Sequence, residues 1–136
     1  MSSQVSVTLV ALPIGNILDL SPRAREALEM AQIIFCEDTR KLEELSERAQ
    51  FSIRARKIAI PGGSEFELDW DEFYKKSSPG EQWALVSDAG TPVLNDPGKS
   101  LADFCMRRGI ELHAIPGPCA PILALQWSGG FGLPFV

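Results

Sequence analysis

Residues 83–98 carry the sequence W-A-L-V-S-D-A-G-T-P-V-L-N-D-P-G, in which an apolar run changes abruptly into a polar loop. The apolar residues 83–86 have the length and composition of a buried strand, and the loop after them is rich in Ser, Asp, Gly, Thr and Pro. In open parallel α/β sheets, ligands bind at the loops that leave the carboxyl ends of the strands. Residues 88–91 are therefore the first candidate for a ligand site, and we expect residues 96–98 to begin the next helix.

The rest of the chain repeats this alternation, because each predicted strand is followed by a helical pattern. The strands are predicted at residues 5–12, 33–36, 58–60, 83–86 and 110–115. Strands separated by helices need crossover connections, so the pattern predicts an α/β fold with an open, mainly parallel five-stranded sheet flanked by helices. We assign residues 1–128 to this domain. Residues 129–136 begin with two glycines and are interpreted as a hinge or the start of a further domain.

Five predicted loops should share one edge of that sheet, since the strands run in the same direction. They comprise residues 13–16, 37–40, 61–64, 87–96 and 116–121. None of them matches a Walker-type phosphate loop or the usual dinucleotide fingerprint, which weakens the alternative of an unrelated nucleotide-binding domain. The carboxylates of Glu37, Asp38 and Asp88 disfavour an anionic ligand here. They favour a ligand with hydroxyls, an amine or a cationic centre.

The composition limits the function classes further. The formal net charge of −5 argues against a generic nucleic-acid binder, because phosphate backbones are held chiefly by Lys and Arg. The three cysteines form no C-x-x-C pair, which favours a reducing compartment, with the cytoplasm as the default, over a disulfide framework. No metal site is predicted. No apolar run approaches the ~18 residues of a membrane span, so no membrane partner is expected.

Each candidate residue also has a structural interpretation that the pattern leaves open. Asp88 could bond its own loop backbone, and Gly90 could simply permit a turn. Residues 37–40 could be a solvated strand end with a local ion pair. The single histidine, His113, lies inside a predicted strand, where a structural role is favoured over a base or metal ligand. The three tryptophans are expected in the core or at an interface, and these are Trp70, Trp83 and Trp127.

Four segments of the chain resemble, in order, the signatures of the tetrapyrrole (corrin/porphyrin) methylase superfamily. They are T-L-V-A-L-P-I-G-N-I-L-D-L-S-P-R-A, C-E-D-T-R, A-L-V-S-D-A-G-T-P-V-L-N-D-P-G and I-P-G-P-C-A. Together they cover nearly the whole chain. Within the superfamily, the sequence is most similar to the branch of ribosomal small-subunit RNA 2′-O-ribose methyltransferases.

This resemblance implies an S-adenosylmethionine-dependent methyltransferase with a two-domain fold, which binds the cofactor between its domains and is usually a homodimer. The positions that match the family's cofactor-contacting segments are Leu12, Pro13, Asp88, Gly90, Thr91, Cys119 and Ala120. A second family motif, near the acceptor, is matched by Glu37, Asp38, Thr39 and Arg40. No residue of this chain is identified as the catalytic base.

Two segments on the implied acceptor side differ from the ribosomal branch. After Arg40 that branch usually continues with a His-Thr-Arg-Arg type run, whereas residues 41–45 here are K-L-E-E-L. Its Tyr-His-Glu-His-Asn segment is replaced by I-P-G-G-S-E at residues 60–65. The acceptor is therefore either ribosomal RNA or a small molecule such as a tetrapyrrole. A further alternative is a non-catalytic cofactor-binding or assembly module that has lost its acceptor site.

Overall fold

Strands and helices alternate along the whole part of the chain that the structure describes. The structure is a computed structural model, and it describes residues 4–60, 68–93 and 97–129. A short 3₁₀ helix at Ile17–Asp19 follows the first strand. The strands are β1 (Ser6–Val10), β2 (Ile33–Cys36), β3 (Arg56–Ala59), β4 (Gln82–Leu85) and β5 (Glu111–Ile115). The helices are α1 (Pro22–Met30), α2 (Thr39–Arg48), α3 (Trp70–Lys76), α4 (Lys99–Arg108) and α5 (Ala120–Trp127).

The five strands form one sheet in the order β3-β2-β4-β1-β5. Every pair of neighbouring strands is parallel. The predicted α/β fold with a parallel five-stranded sheet is therefore confirmed. β3 starts at Arg56, two residues earlier than predicted, so Arg56 and Lys57 belong to the strand. β3 lies at the edge of the sheet, where polar side chains can remain in solvent.

Helices cover both faces of the sheet, and each face has its own hydrophobic core. On one face, Leu28 of α1 and Leu42 of α2 pack against Ala84 and Val86. On the other, Leu101 and Phe104 of α4 and Trp70 of α3 pack against Trp83 and Leu85. The alternation of residues 83–86 between the two cores follows from the two-residue period of a strand. The predicted burial of Trp70 and Trp83 is confirmed, at 6% and 1% exposure.

The chain changes direction across the sheet between β4 and β1. The chain passes from β1 to β2 and β3 through α1 and α2, which pack on one face of the sheet. It then reaches β4 and β5 through α3 and α4, which pack on the opposite face. The loops after β1 and β4 therefore leave neighbouring strands toward different faces. Such a topological switch point is where open α/β sheets bind their ligands.

Local signals in the sequence explain where several helices begin and end. Ser21 Oγ accepts a hydrogen bond from the Ala24 backbone N–H at 3.0 Å, which caps α1. α4 ends at Gly109, whose φ of 65° is readily adopted only by glycine. The expected helix start at residues 96–98 falls partly outside the described residues, since Asp96 is not among them, and α4 itself begins at Lys99.

The last strand and helix are largely exposed. His113 of β5 is about half exposed, and its Nε2 lies 2.9 Å from Glu111 Oε1. Trp127 of α5 is 94% exposed, so of its two expected positions, core or interface, the core is excluded and the interface stays a prediction. The sequence of α5 is apolar on all sides, so its pattern does not distinguish a face that packs in the core from a face that lies at an interface. None of its residues is buried. Among the described residues, no helix has the length and apolar character needed to cross a membrane.

Candidate functional site

The loops that follow β1, β4 and β5 are bonded to one another at the carboxyl edge of the sheet. The backbones of Leu12 and Gly90 exchange hydrogen bonds in both directions, each 3.0 Å long. Thr91 Oγ1 donates a hydrogen bond to the carbonyl oxygen of Pro118 at 2.8 Å. Three of the residues that the resemblance singled out, Leu12, Gly90 and Thr91, are therefore brought together at the switch point.

Two glycines allow these loops to approach closely. A Cβ atom on Gly117 would lie 2.6 Å from Ala11 Cβ, which no pair of carbon atoms tolerates. Gly90 has a φ of +74°, and a Cβ atom there would lie 3.2 Å from Ile14 Cγ2. The positive φ agrees with the interpretation that Gly90 permits a change of chain direction. Its lack of a side chain also lets the loop after β4 lie directly against the loop after β1.

The loop after β4 is held from within by Ser87. This side chain is 1% exposed, and its hydroxyl donates to the carbonyl oxygen of Ala89 at 2.9 Å. Asp88, in contrast, directs its carboxylate away from its own loop toward Lys41 of α2. The interpretation of Asp88 as a cap for its own backbone is therefore not what the structure shows, and Ser87 has that role instead.

Asp88 is held by two residues from the segment after β2. Lys41 Nζ lies 2.9 Å from Asp88 Oδ2, and the backbone N–H of Asp88 donates to Glu37 Oε2 at 2.7 Å. The hydrogen bond and the negative charge of Asp88 raise the pKa of Lys41, so Lys41 is protonated at neutral pH. The second carboxylate oxygen, Asp88 Oδ1, is buried and receives no hydrogen bond from any described residue.

The segment Glu37, Asp38, Thr39 and Arg40 has a clear structural role. Asp38 precedes α2 and accepts a hydrogen bond from the backbone N–H of Arg40 at 2.9 Å, while Thr39 is the first helical residue. The Arg40 guanidinium binds both Asp38 oxygens, at 3.1 and 2.9 Å. The side-chain hydrogen bonds from Arg40 lower the pKa of Asp38 to about 2. The local ion pair considered from the sequence is therefore present, and within this motif Glu37 is the residue that reaches Asp88.

The cysteines near this edge are not arranged as nucleophiles. Burial raises the pKa of Cys36 to about 11, and the negative charges of Asp88 and Asp38 act in the same direction. Cys36 is therefore a neutral thiol at physiological pH. Cys119 is partly exposed and directly precedes α5, and Ala120 is the first, exposed residue of that helix.

A cavity of about 200 Å³ opens beside Asp88, between the loop after β1 and α2. Its walls include Pro13, Gly15, Ile17, Lys41 and Leu45. Pro13 and Asp88, both implied cofactor positions, thus face the same space. Because small-molecule sites usually enclose about 300–1,000 Å³, this edge has the size of part of a ligand site.

Sequence reasoning missed the part played by Lys41 and by the Pro118 carbonyl group. In the sequence, Lys41 stands out only as a departure from the family pattern, and no local signal gives it a contact. Its position beside Asp88 depends on β2 and β4 being neighbours in the sheet. No short-range pattern in the sequence encodes that neighbour relationship, so only the strand order could have identified the contact.

Comparison with known proteins agrees with the resemblance seen in the sequence. The family model of the tetrapyrrole (corrin/porphyrin) methylases matches residues 6–130. The chain is 41% identical over 128 residues to a protein of Escherichia coli O157:H7 named ribosomal RNA small subunit methyltransferase I, a match that covers 94% of this chain and 44% of that protein. Proteins of the same name are 42% identical in Mesorhizobium japonicum and 41% identical in Synechocystis. Each of these two matches covers 89% of this chain, and they cover 40% and 42% of the relatives. The chain thus spans less than half the length of these three relatives.

Proposed function

Because the chain belongs to the tetrapyrrole (corrin/porphyrin) methylase family, we propose that it forms the S-adenosylmethionine-binding domain of a methyltransferase. The proposed acceptor is a ribose 2′-hydroxyl of small-subunit ribosomal RNA. The relatives named above support this acceptor, since ribosomal RNA appears in their names. The enzyme is proposed to work in the cytoplasm.

The observation that carries the proposal is the environment of Asp88 at the switch point. Asp88 Oδ1 is a buried acceptor without a donor among the described residues. Leaving such an atom unpaired costs about 1–3 kcal/mol, so a ligand that supplies a donor there recovers that free energy. S-adenosylmethionine carries an ammonium group and ribose hydroxyls, which are donors of the required kind.

The neighbouring residues fit the same ligand. Gly90 and Gly117 remove side-chain bulk at the points where the three loops meet, so the loops can pack directly against one another beside the proposed site. Pro13 supplies an apolar wall to the cavity beside Asp88. Leu12 is 3% exposed and both of its backbone groups are bonded to Gly90, so it holds the loops in place. Thr91, Cys119 and Ala120 complete the proposed set of cofactor positions.

When bound, the cofactor supplies a methyl group, which is transferred from a positively charged sulfur by in-line displacement. The protein's task is then chiefly to position donor and acceptor. Lys41 is not suited to be the base for the acceptor hydroxyl, because Asp88 keeps it protonated. The motif of Glu37, Asp38, Thr39 and Arg40 is proposed to face the acceptor, since it lies at the same sheet edge.

We further propose that the protein is a homodimer and that residues 129–136 are a hinge or the start of a second domain. Helix α5 supports this proposal, because Ile122, Leu123 and Trp127 are 41%, 47% and 94% exposed. Apolar surface of this kind is usually covered in a complete protein.

Isothermal titration calorimetry of the complete protein with S-adenosylmethionine tests the proposal. We expect binding, and we expect Asp88→Asn to weaken it by roughly tenfold or more, as for the loss of a hydrogen bond to a charged group. Asp103→Asn is the matched control, because Asp103 is an exposed carboxylate paired with Lys99 on α4. Absence of binding at millimolar cofactor would refute the proposal.

The acceptor is tested by transfer of a radiolabelled methyl group to small ribosomal subunits that lack ribose methylation and, in parallel reactions, to tetrapyrroles and other small molecules. Label in the RNA supports the ribosomal acceptor. Label only in a tetrapyrrole or another small molecule supports the first alternative. Cofactor binding without any transfer supports the non-catalytic module.

A further inference from the structure

The loop that carries Asp88 is fixed by residues that are distant in sequence. Glu37 and Lys41 lie 51 and 47 residues from Asp88 along the chain. Glu37 lies two residues before α2 and Lys41 is the third residue of that helix, and they hold different atoms of the same residue. Glu37 Oε2 accepts from the Asp88 backbone N–H, and Lys41 Nζ binds the side chain at Oδ2.

We infer that Lys41 is a positioning residue, which fixes the orientation of the Asp88 carboxylate and leaves Oδ1 as the atom available to the cofactor. This inference rests on the proposed function. Lys41 touches Asp88 and lines the adjacent cavity, but it is not assigned a role in the chemical step.

The geometry supports positioning because Lys41 makes the one hydrogen bond to the Asp88 carboxylate among the described residues. Glu37 joins the backbone of Asp88 to the segment after β2, and Lys41 joins its side chain to α2 at 2.9 Å, so Lys41 selects one rotamer and also restrains the loop. With Oδ2 engaged, Oδ1 is the buried oxygen without a donor among the described residues. The Asp88 carboxylate is therefore already oriented before a ligand donor binds Oδ1. Less side-chain entropy is lost on binding as a result.

The Lys41–Asp88 ion pair is too exposed to contribute much to the stability of the fold. The side chains of Lys41 and Asp88 are 57% and 30% exposed. Ion pairs with this much solvent contact contribute little to global stability. The effect of removing Lys41 should therefore appear in the loop and in cofactor binding, while the midpoint of unfolding stays nearly constant.

The first test needs no ligand. We expect Lys41→Met to accelerate hydrogen exchange of the backbone amides in residues 87–93 several-fold, and Lys41→Arg to restore slow exchange because it can still reach Asp88. Lys76→Met is the matched control, since Lys76 forms an exposed ion pair with Glu72 on α3, away from this edge. Unchanged exchange in Lys41→Met, with Lys76→Met also unchanged, overturns the inference.

The second test is a double-mutant cycle on the affinity for S-adenosylhomocysteine, measured by calorimetry. Lys41→Met should weaken binding by roughly tenfold in the parent protein and have little effect in Asp88→Asn, because Lys41 acts through Asp88. Equal effects in both backgrounds would mean that Lys41 acts independently, which contradicts the inference. In the methylation assay, Lys41→Met should raise the KM for the cofactor more than it lowers kcat.

The two tests distinguish the inference from the proposed function. If Lys41→Met loosens the loop but the parent protein binds no cofactor, the proposed function fails and the positioning of Asp88 by Lys41 stands. If the parent binds the cofactor and Lys41→Met changes neither exchange nor affinity, the inference fails and the proposed function stands.

Discussion

Leu12 and Gly90 are joined by a reciprocal pair of backbone hydrogen bonds, each 3.0 Å long, between the loops that follow β1 and β4. These loops leave adjacent strands toward opposite faces of the sheet, where open α/β sheets normally have a crevice. The pair of hydrogen bonds fastens the two loops to each other at this edge of the sheet. Asp88, two residues before Gly90, lines the adjacent cavity.

The first prediction concerns the backbone at Gly90. Gly90→Ala should lower the free energy of unfolding by about 1–2 kcal/mol, because a Cβ atom disfavours the positive φ of +74°. It should cost more than Gly109→Ala, since Gly109 also has a positive φ but no atom within 4 Å of the added Cβ, whereas Gly90 meets Ile14. Urea denaturation of both variants gives the comparison. Equal losses would show that contact with Ile14 is unimportant.

The second prediction concerns the approach of Gly117 to Ala11. Gly117→Ala should destabilise the protein by about 1–3 kcal/mol, because the new Cβ would lie 2.6 Å from Ala11 Cβ. Ala11→Gly removes the opposing carbon, so the double variant should be more stable than the sum of the single losses predicts. The four proteins are compared by urea denaturation. Simple additivity would contradict the close approach.

The third prediction concerns the aromatic cluster under α3. Phe35 is fully buried and its ring lies edge-on to Trp70, Phe73 and Trp83, with centroids 5.1–5.6 Å apart. Phe35→Ala should therefore cost about 3–5 kcal/mol in the free energy of unfolding. Phe73→Ala should cost less, because Phe73 is only partly buried. A smaller loss for Phe35→Ala than for Phe73→Ala would be inconsistent with this packing.

The fourth prediction concerns alkaline pH. Burial raises the pKa values of Cys36 and Cys105 from 9.0 to about 11, so the unfolded chain loses these thiol protons first. Their contribution to stability is fully present below about pH 9 and is lost as the pH rises toward 11. Cys36→Ala and Cys105→Ala should each make the fall in stability over this range less steep. Urea denaturation at several pH values, under reducing conditions, measures the slope, and an unchanged slope would contradict the prediction.

The sequence was most informative where structure depends on nearby residues. The run at residues 83–86 predicted β4 to within one residue, because an apolar strand pattern depends on a few neighbouring positions. The caps at Ser21 and Gly109 are equally local, since each depends on residues of one helix end. The alternation of strands and helices predicted the parallel sheet for the same reason. Each βαβ unit is formed by residues that are close to one another in the sequence.

The sequence was least informative about which strands become neighbours. The Lys41–Asp88 contact requires β2 beside β4, and the Leu12–Gly90 pair requires β1 beside β4. Both relationships depend on the packing of the whole sheet. Trp127 shows the same limit, since a helical pattern of apolar residues does not say whether another surface covers it.

The switch-point loops also determine when during folding a binding-competent protein arises. Their mutual contacts join a segment near the amino terminus to segments that follow β4 and β5, so they form only after distant parts of the chain have been brought together. Closing such large loops is slow, because chain entropy is lost before the stabilising contacts between the loops have formed. We therefore expect cofactor affinity to appear in the last step of folding, which makes ligand binding a direct reporter of the fully assembled sheet.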